Sequence, residues 1–163
     1  MRPVPPEPPR IVSLDGLAPA FRRKLEIVLA NLEHAGLSPE INETLRTSER
    51  QRWLYGMGRE YDDGRGIVTH AMDATASWHH YGLAADIMDG AHGWDDTPHA
   101  FWEQLAAAVH AEGLTSGAEW SHKDLPHVQF HVDGMRVTPS PHAADLQARG
   151  GNALVWHALQ ADV

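Results

Sequence analysis

The chain has 163 residues, 42% hydrophobic and 21% charged, a balance that suits one globular domain with a single core. Its formal net charge of −9 argues against a nucleic-acid polyanion as partner and gives no electrostatic pull towards an anionic wall or membrane surface. With no cysteine, disulfides and thiolate metal sites are excluded, and any transition metal must be held by His, Asp or Glu.

No apolar run is long enough to span a membrane, so no membrane insertion is expected. Met1 to Arg10 carries five prolines and no apolar signal core. It reads as an extended, poorly ordered lead-in to one domain over residues 11–163, and synthesis in the cytoplasm without a signal peptide is expected. Phe21, Leu25, Val28, Leu29 and Leu32 recur at helical spacing, with Pro19 at the start and Gly36 beyond the end. Ile41 to Arg46 reads as a short strand. Ser48 with Gln51 forms a capping box opening a second helix that carries Trp53 and Leu54 and stops near Gly56 or Gly58.

Tyr61 to Ser77, rich in Gly, Asp, Thr and Ala, is a long loop of the kind that is usually functional or mobile. Leu83 to Met88 alternates as a strand, with Ala84, Asp86 and Met88 on one face. Thr97-Pro98 caps a third helix whose Phe101, Leu105, Ala108 and Val109 face inward before Gly113. His127 to Val132 is a second alternating strand, with His127, Gln129 and His131 on its polar side. Ser140-Pro141 and Asn152 cap two short helices separated by Gly150-Gly151. Helices mixed with irregularly spaced strands, and no βαβ rhythm, predict an α+β domain: a small antiparallel sheet flanked by helices.

The chemistry concentrates in Ser77-Trp78-His79-His80-Tyr81-Gly82-Leu83-Ala84-Ala85-Asp86 and Asp124-Leu125-Pro126-His127. His79, Asp86 and His127 are three nitrogen or oxygen ligands, and three with an open fourth position are what a catalytic zinc needs. His80 competes with His79, and His122 and His131 are further imidazoles whose ordinary place is the surface. Gln129 shares the face of His127 and is positioned to orient that ligand. Zinc lowers the pKa of bound water to roughly 7, but a carboxylate outside its shell must take the proton. Asp124 is the first choice for that base, against a plain turn role, and Glu119 is the second. Glu119-Trp120 alternatively forms a cleft wall. Arg46 is the candidate cation for a developing oxyanion, against a surface ion pair.

Ser77-x-His79-x-x-Gly82-x-Ala84-x-Asp86 and Asp124-x-Pro126-His127-x-Gln129 resemble the two signatures of the zinc peptidoglycan peptidases. That family includes D-alanyl-D-alanine carboxypeptidases and dipeptidases, and the L-alanyl-D-glutamate endopeptidases of phage endolysins and wall-remodelling enzymes. Leu45-Arg46-Thr47-x-x-x-Gln51-x-x-Leu54-Tyr55-x-x-Gly58 resembles the upstream block of the same family. The resemblance implies one zinc held by His79, Asp86 and His127, with Asp124 as general base and Arg46 as transition-state cation. It also implies the small α+β fold of the hedgehog and D,D-peptidase type; Ser77, Gln129, Glu119 and Trp120 are read beside it as substrate or supporting residues. Hydrolysis of peptidoglycan stem peptides, at the L-alanyl-D-glutamate bond and by a monomer, is the leading expectation. A D-alanyl-D-alanine carboxypeptidase and a non-catalytic zinc-stabilised wall-binding module are the alternatives. Gly117-Ala118-Glu119-Trp120 stands where the endopeptidase branch usually has Gly-Gly-Asp-Trp.

Overall fold

The apolar stripe of the first segment forms a helix where its spacing predicts one. In a computed structural model describing residues 1–163, α1 spans Pro19–His34 and buries Phe21, Leu25, Val28 and Leu32. Gly36 follows it with φ +85, a conformation that costs glycine little. α2 spans Ser48–Gly56, and its N-cap is Thr47, whose hydroxyl accepts from the Arg50 N–H at 3.2 Å. The cap is therefore one residue before the expected Ser48, no capping box forms because Arg50 cannot accept from the cap N–H, and Gln51 is free for the interior. α3 spans His99–Ala111, a residue later than Thr97-Pro98 implied, because the Thr97 hydroxyl instead bonds back to the Gly93 carbonyl.

Four strands form one antiparallel sheet in the order β1-β2-β4-β3, where β1 is Pro39–Glu43, β2 Ala84–Asp89, β3 Thr115–Ser116 and β4 His127–Gln129. The α+β architecture expected from the element pattern is the one observed. All three strands read from the sequence differ in extent, β2 being displaced by one residue from Leu83–Met88 to Ala84–Asp89, and β3 is not expected from the sequence. β1 starts and stops earlier than Ile41 to Arg46, and β4 ends at Gln129, so His131 lies exposed beyond the ladder.

Leu83, Ala85, Ile87, Val128 and Phe130 pack with the buried stripes of α1 and α3 in one core of 22 buried residues, the only large apolar cluster in the chain. Hydrophobic burial on that side of the sheet leaves the opposite side free to carry polar groups. α4 spans Pro141–Ala158 and is broken at Gly150 and Gly151, the two-helix arrangement that the glycine pair implied. A smaller cluster of Trp53, Leu54, Met57 and Tyr61 lies on and after α2. Residues 1–10 have no regular secondary structure, yet they are tied down: the Trp53 indole N–H donates to the Pro5 carbonyl at 3.0 Å, and Pro8 is buried. No helix is long and apolar enough to cross a membrane.

Candidate metal centre

Register brings the polar residues together. In the ladders Glu43 lies opposite Asp86, and Asp86 lies opposite His127, so three polar side chains share a row across β1, β2 and β4. Directly opposed residues project from the same face. The first pairing depends on an irregularity: β1 advances from Ile41 to Glu43 while β2 advances only from Ile87 to Asp86. Asn42 is the extra residue of this bulge, a device that re-aims side chains next to sites.

His79 arrives from outside the sheet, on the short 3₁₀ turn Trp78–Tyr81. The chain leaves that turn through Gly82 at φ +69, where a Cβ would lie 2.5 Å from the Gly16 carbonyl oxygen. Only glycine meets both demands, so Gly82 sets the path from His79 into β2. The turn is also stitched to the chain after β1, with the Arg46 N–H donating to the His79 carbonyl at 3.1 Å.

His79, Asp86 and His127 form a group whose ligand atoms all lie within 4.8 Å of one another. Asp86 Oδ2 lies 3.4 Å from His79 Nε2, and Asp86 Oδ1 lies 3.5 Å from His127 Nδ1. The far nitrogens are pinned. His79 Nδ1 donates to the Thr44 carbonyl at 2.8 Å, and His127 Nε2 donates to Gln129 Oε1 at 2.8 Å. Each pin fixes a tautomer and leaves the inward nitrogen with its lone pair, as a metal ligand requires. Two neutral imidazoles and one carboxylate are a donor set that fits zinc.

Side-chain exposure rises from 3% at His79 through 10% at His127 and 15% at Asp86 to 49% at Asp124, so the group grades from core to surface with Asp124 at its exposed end. Burial by itself would raise the Asp86 pKa, but the two imidazoles outweigh it and hold the carboxyl well below its ordinary value. For His127 burial pulls downward, and the Asp86 carboxylate reverses the sign and raises the pKa. Asp124 Oδ2 lies 3.9 Å from His127 Nδ1, and burial together with the charge of Asp86 pushes its pKa up. A carboxylate near a metal cluster, outside its shell and more basic than usual, is suited to accept a proton.

The other sequence candidates separate clearly. Glu119 is turned to α3, where it pairs with His110 at 3.0 Å, and the structure does not bring it to the cluster. Trp120 packs its ring against that of His127, centroids 4.8 Å apart, and its indole N–H is the one buried side-chain donor without a partner. His80 points its Nδ1 to the Arg46 carbonyl at 3.1 Å and is not in the group. Ser77 is half-buried at the start of the histidine turn, with no capping bond from its side chain.

Arg46 lies at the edge of the cluster, its Nη2 3.6 Å from Asp86 Oδ2. Its orientation is set by residues that the sequence reading did not single out as a site. Arg46 Nε and Nη2 donate to Glu43 Oε1 at 2.8 and 2.6 Å, and Nη1 donates to Gln51 Oε1 at 3.0 Å. Those three bonds leave the other two of the guanidinium's five N–H donors uncommitted. Gln51, fully buried, also donates from Nε2 to the Ala71 carbonyl at 2.9 Å, which fastens the long loop to the arginine. Glu43 is charged and completely enclosed, a combination that sequence periodicity alone does not reveal.

Gly117 shapes the remaining wall. A Cβ there would stand 2.3 Å from the Asp124 carbonyl oxygen and 3.0 Å from His127 Cβ. The turn carrying Asp124 therefore rests directly on this glycine, which also accepts the Asp124 N–H at 2.9 Å. Gly117→Ala is expected to cost about 1–3 kcal/mol through overpacking and to weaken metal binding, both readable by thermal unfolding with and without added zinc.

Comparison with known proteins gives two findings. The family model described as D-alanyl-D-alanine carboxypeptidase matches residues 71–130, which include His79, Asp86, Asp124 and His127. Among solved structures, the chain is similar to the L-Ala D-Glu endopeptidase ChiX of Serratia marcescens. The likeness has a TM-score of 0.54 and 23% identity over 75% of this chain and 90% of that one, and shows a shared fold.

Proposed function

We infer that the chain is a zinc peptidase of peptidoglycan, hydrolysing stem peptides at the L-alanyl-D-glutamate bond with one zinc held by His79, Asp86 and His127, a reading supported by the family model over residues 71–130 and by the shared fold. The observation that carries this reading is the three-ligand cluster with the half-exposed Asp124 beside it, 3.9 Å from His127. The chemistry such an ion supplies is Lewis acidity, which makes water nucleophilic near neutral pH and polarises the scissile carbonyl.

The protein's own groups do the rest. Asp124 takes the proton of the attacking water and passes it to the leaving amine. Arg46 offers its uncommitted N–H groups to the carbonyl oxygen as negative charge develops there. Gln129 and the Thr44 carbonyl keep the two imidazoles in the ligating tautomer. Trp120 covers the His127 ring and closes one side of the cleft.

Two points favour an internal bond over the terminal D-alanine. One is the likeness to a structure bearing the endopeptidase name. The other is electrostatic. A carboxypeptidase must hold a free carboxylate as well as the oxyanion, and here Arg50 is taken by Glu43 and Glu7 while the free N–H groups of Arg46 are assigned to the scissile carbonyl. In this reading residues 11–163 are one peptidase domain and the chain acts as a monomer on wall peptides.

Mass spectrometry of digested muropeptides tests the bond. Cleavage here yields a sugar-linked L-alanine and a peptide with a new D-glutamate amino terminus. Release of single D-alanine instead would identify a carboxypeptidase, and a zinc-loaded protein that binds but releases nothing would identify a wall-binding module.

A further inference from the structure

The ion pairs behind Arg46 continue far beyond the cluster. Glu43 is 2% exposed, and its two oxygens serve different guanidinium groups. Oε1 accepts from Arg46 at 2.8 and 2.6 Å, while Oε2 accepts from Arg50 Nε. Arg50, buried in the first turn of α2, sends Nη1 to Glu7 Oε1 at 2.9 Å and to the Pro8 carbonyl at 3.0 Å. Charges of alternating sign thus run from Asp86 through Arg46, Glu43 and Arg50 to Glu7 in the proline-rich segment.

Balance explains why each member is needed. Glu43 alone faces two buried cations, and a buried charge without its counter-charge is costly. Asp86 answers Arg46 at one end, and Glu7 answers Arg50 at the other. Without Glu7, Arg50 would draw more strongly on the shared carboxylate and loosen its hold on Arg46. The segment is itself secured by several bonds: Pro5 accepts from Trp53, Arg65 reaches Glu7 at 3.4 Å, and Arg2 pairs with Glu60. Burial opposes ionisation of Glu7, but Arg50 and Arg65 prevail and keep its pKa low.

We propose that Glu43, Arg50 and Glu7 are positioning residues for Arg46, so that residues 1–10 are a working part of the peptidase and not a passive lead-in. This rests on the role given to Arg46 above. The geometry of a transition-state donor matters steeply, because a shift of about 1 Å can cost 10²-fold in rate.

Glu7→Ala is the informative variant, since the Glu7 side chain is 35% exposed and its removal leaves no core cavity. Its kcat on a wall peptide is expected to fall about tenfold with KM and zinc content unchanged, and Glu7→Asp to recover part of the loss. In an Arg46→Ala background the same substitution should have no further effect, because the two act through one group. Independently of activity, NMR should show the Arg46 Nε–H exchanging with solvent faster in Glu7→Ala than in the parent. An equal loss of kcat in both backgrounds, or an unchanged Arg46 exchange rate, overturns the proposal. If the parent protein cleaves no wall peptide, the functional reading fails, while the exchange measurement still decides whether Glu7 restrains Arg46.

Discussion

Asp124→Ala is expected to keep its zinc and lose hydrolysis, with kcat reduced by about 10²–10⁴, the range a positioned proton acceptor contributes. The carboxylate lies close enough to the cluster to act at its exposed end, yet at 3.9 Å from His127 it is no member of the ligand group. Its backbone fixes the turn through bonds to Gly117 and His127, and an alanine retains those bonds. The fold and the metal should therefore survive while turnover does not. Zinc content by elemental analysis and kcat on a purified stem peptide measure the two halves separately. Near-full activity in this variant would transfer the base role elsewhere. Glu119 would then be the candidate, once released from its pairing with His110 at 3.0 Å.

His127→Ala should behave in the opposite way, losing the metal itself. Loss of an orienting partner such as Gln129 typically costs 10–100-fold in metal affinity, and loss of a ligand should exceed about 100-fold. Binding to the folded state alone raises stability, by about 2.7 kcal/mol at a metal concentration 100 times the Kd. Added zinc should accordingly raise the melting temperature of the parent protein and leave that of His127→Ala unmoved. His80→Ala is the control. His80 faces the Arg46 carbonyl and lies outside the cluster, so its variant should keep the zinc-dependent rise. Because the Asp86 carboxylate raises the His127 pKa against the pull of burial, protons compete for this ligand from a higher pH than for an ordinary histidine. Zinc binding should weaken on acidification from that side. A zinc-induced shift in His127→Ala equal to that of the parent would remove His127 from the ligand set.

How much of this could be seen in the sequence depended on whether a residue's role is written in local spacing. The stripe of α1 and the alternation at Leu83 to Met88 reflect burial of one face, and periodicity reports burial directly. The α+β sheet followed from the same patterns. The two histidine-bearing motifs were legible because imidazole, carboxylate and glycine stood together without any cysteine to compete as ligand. Other features depend on long-range contacts. Thr47 and Ser48 are both good caps, and only the direction of the chain after Arg46 selects Thr47. Glu43 and Arg50 look like surface residues in a run of charges, yet each is buried by a partner distant in the chain. The extended lead-in is tied along α2 by bonds to Trp53 and Arg50, which no composition rule foretells. The bulge at Asn42 likewise has no signature of its own.

That single supernumerary residue has a consequence for how the protein can change. Side chains along a strand alternate between faces, so pairing Ile41, Asn42 and Glu43 in regular register would set Asn42 opposite Asp86, turn Glu43 to the apolar face of Ile41 and strand both arginines without their shared counter-ion. The extra residue keeps Ile41 on the core face and Glu43 on the ion-pair face, so a change that regularises the pairing of this stretch is expected to lose the network. The exposed turn at Asp133 and Gly134, which takes no part in these ion pairs, is where insertions can be accommodated.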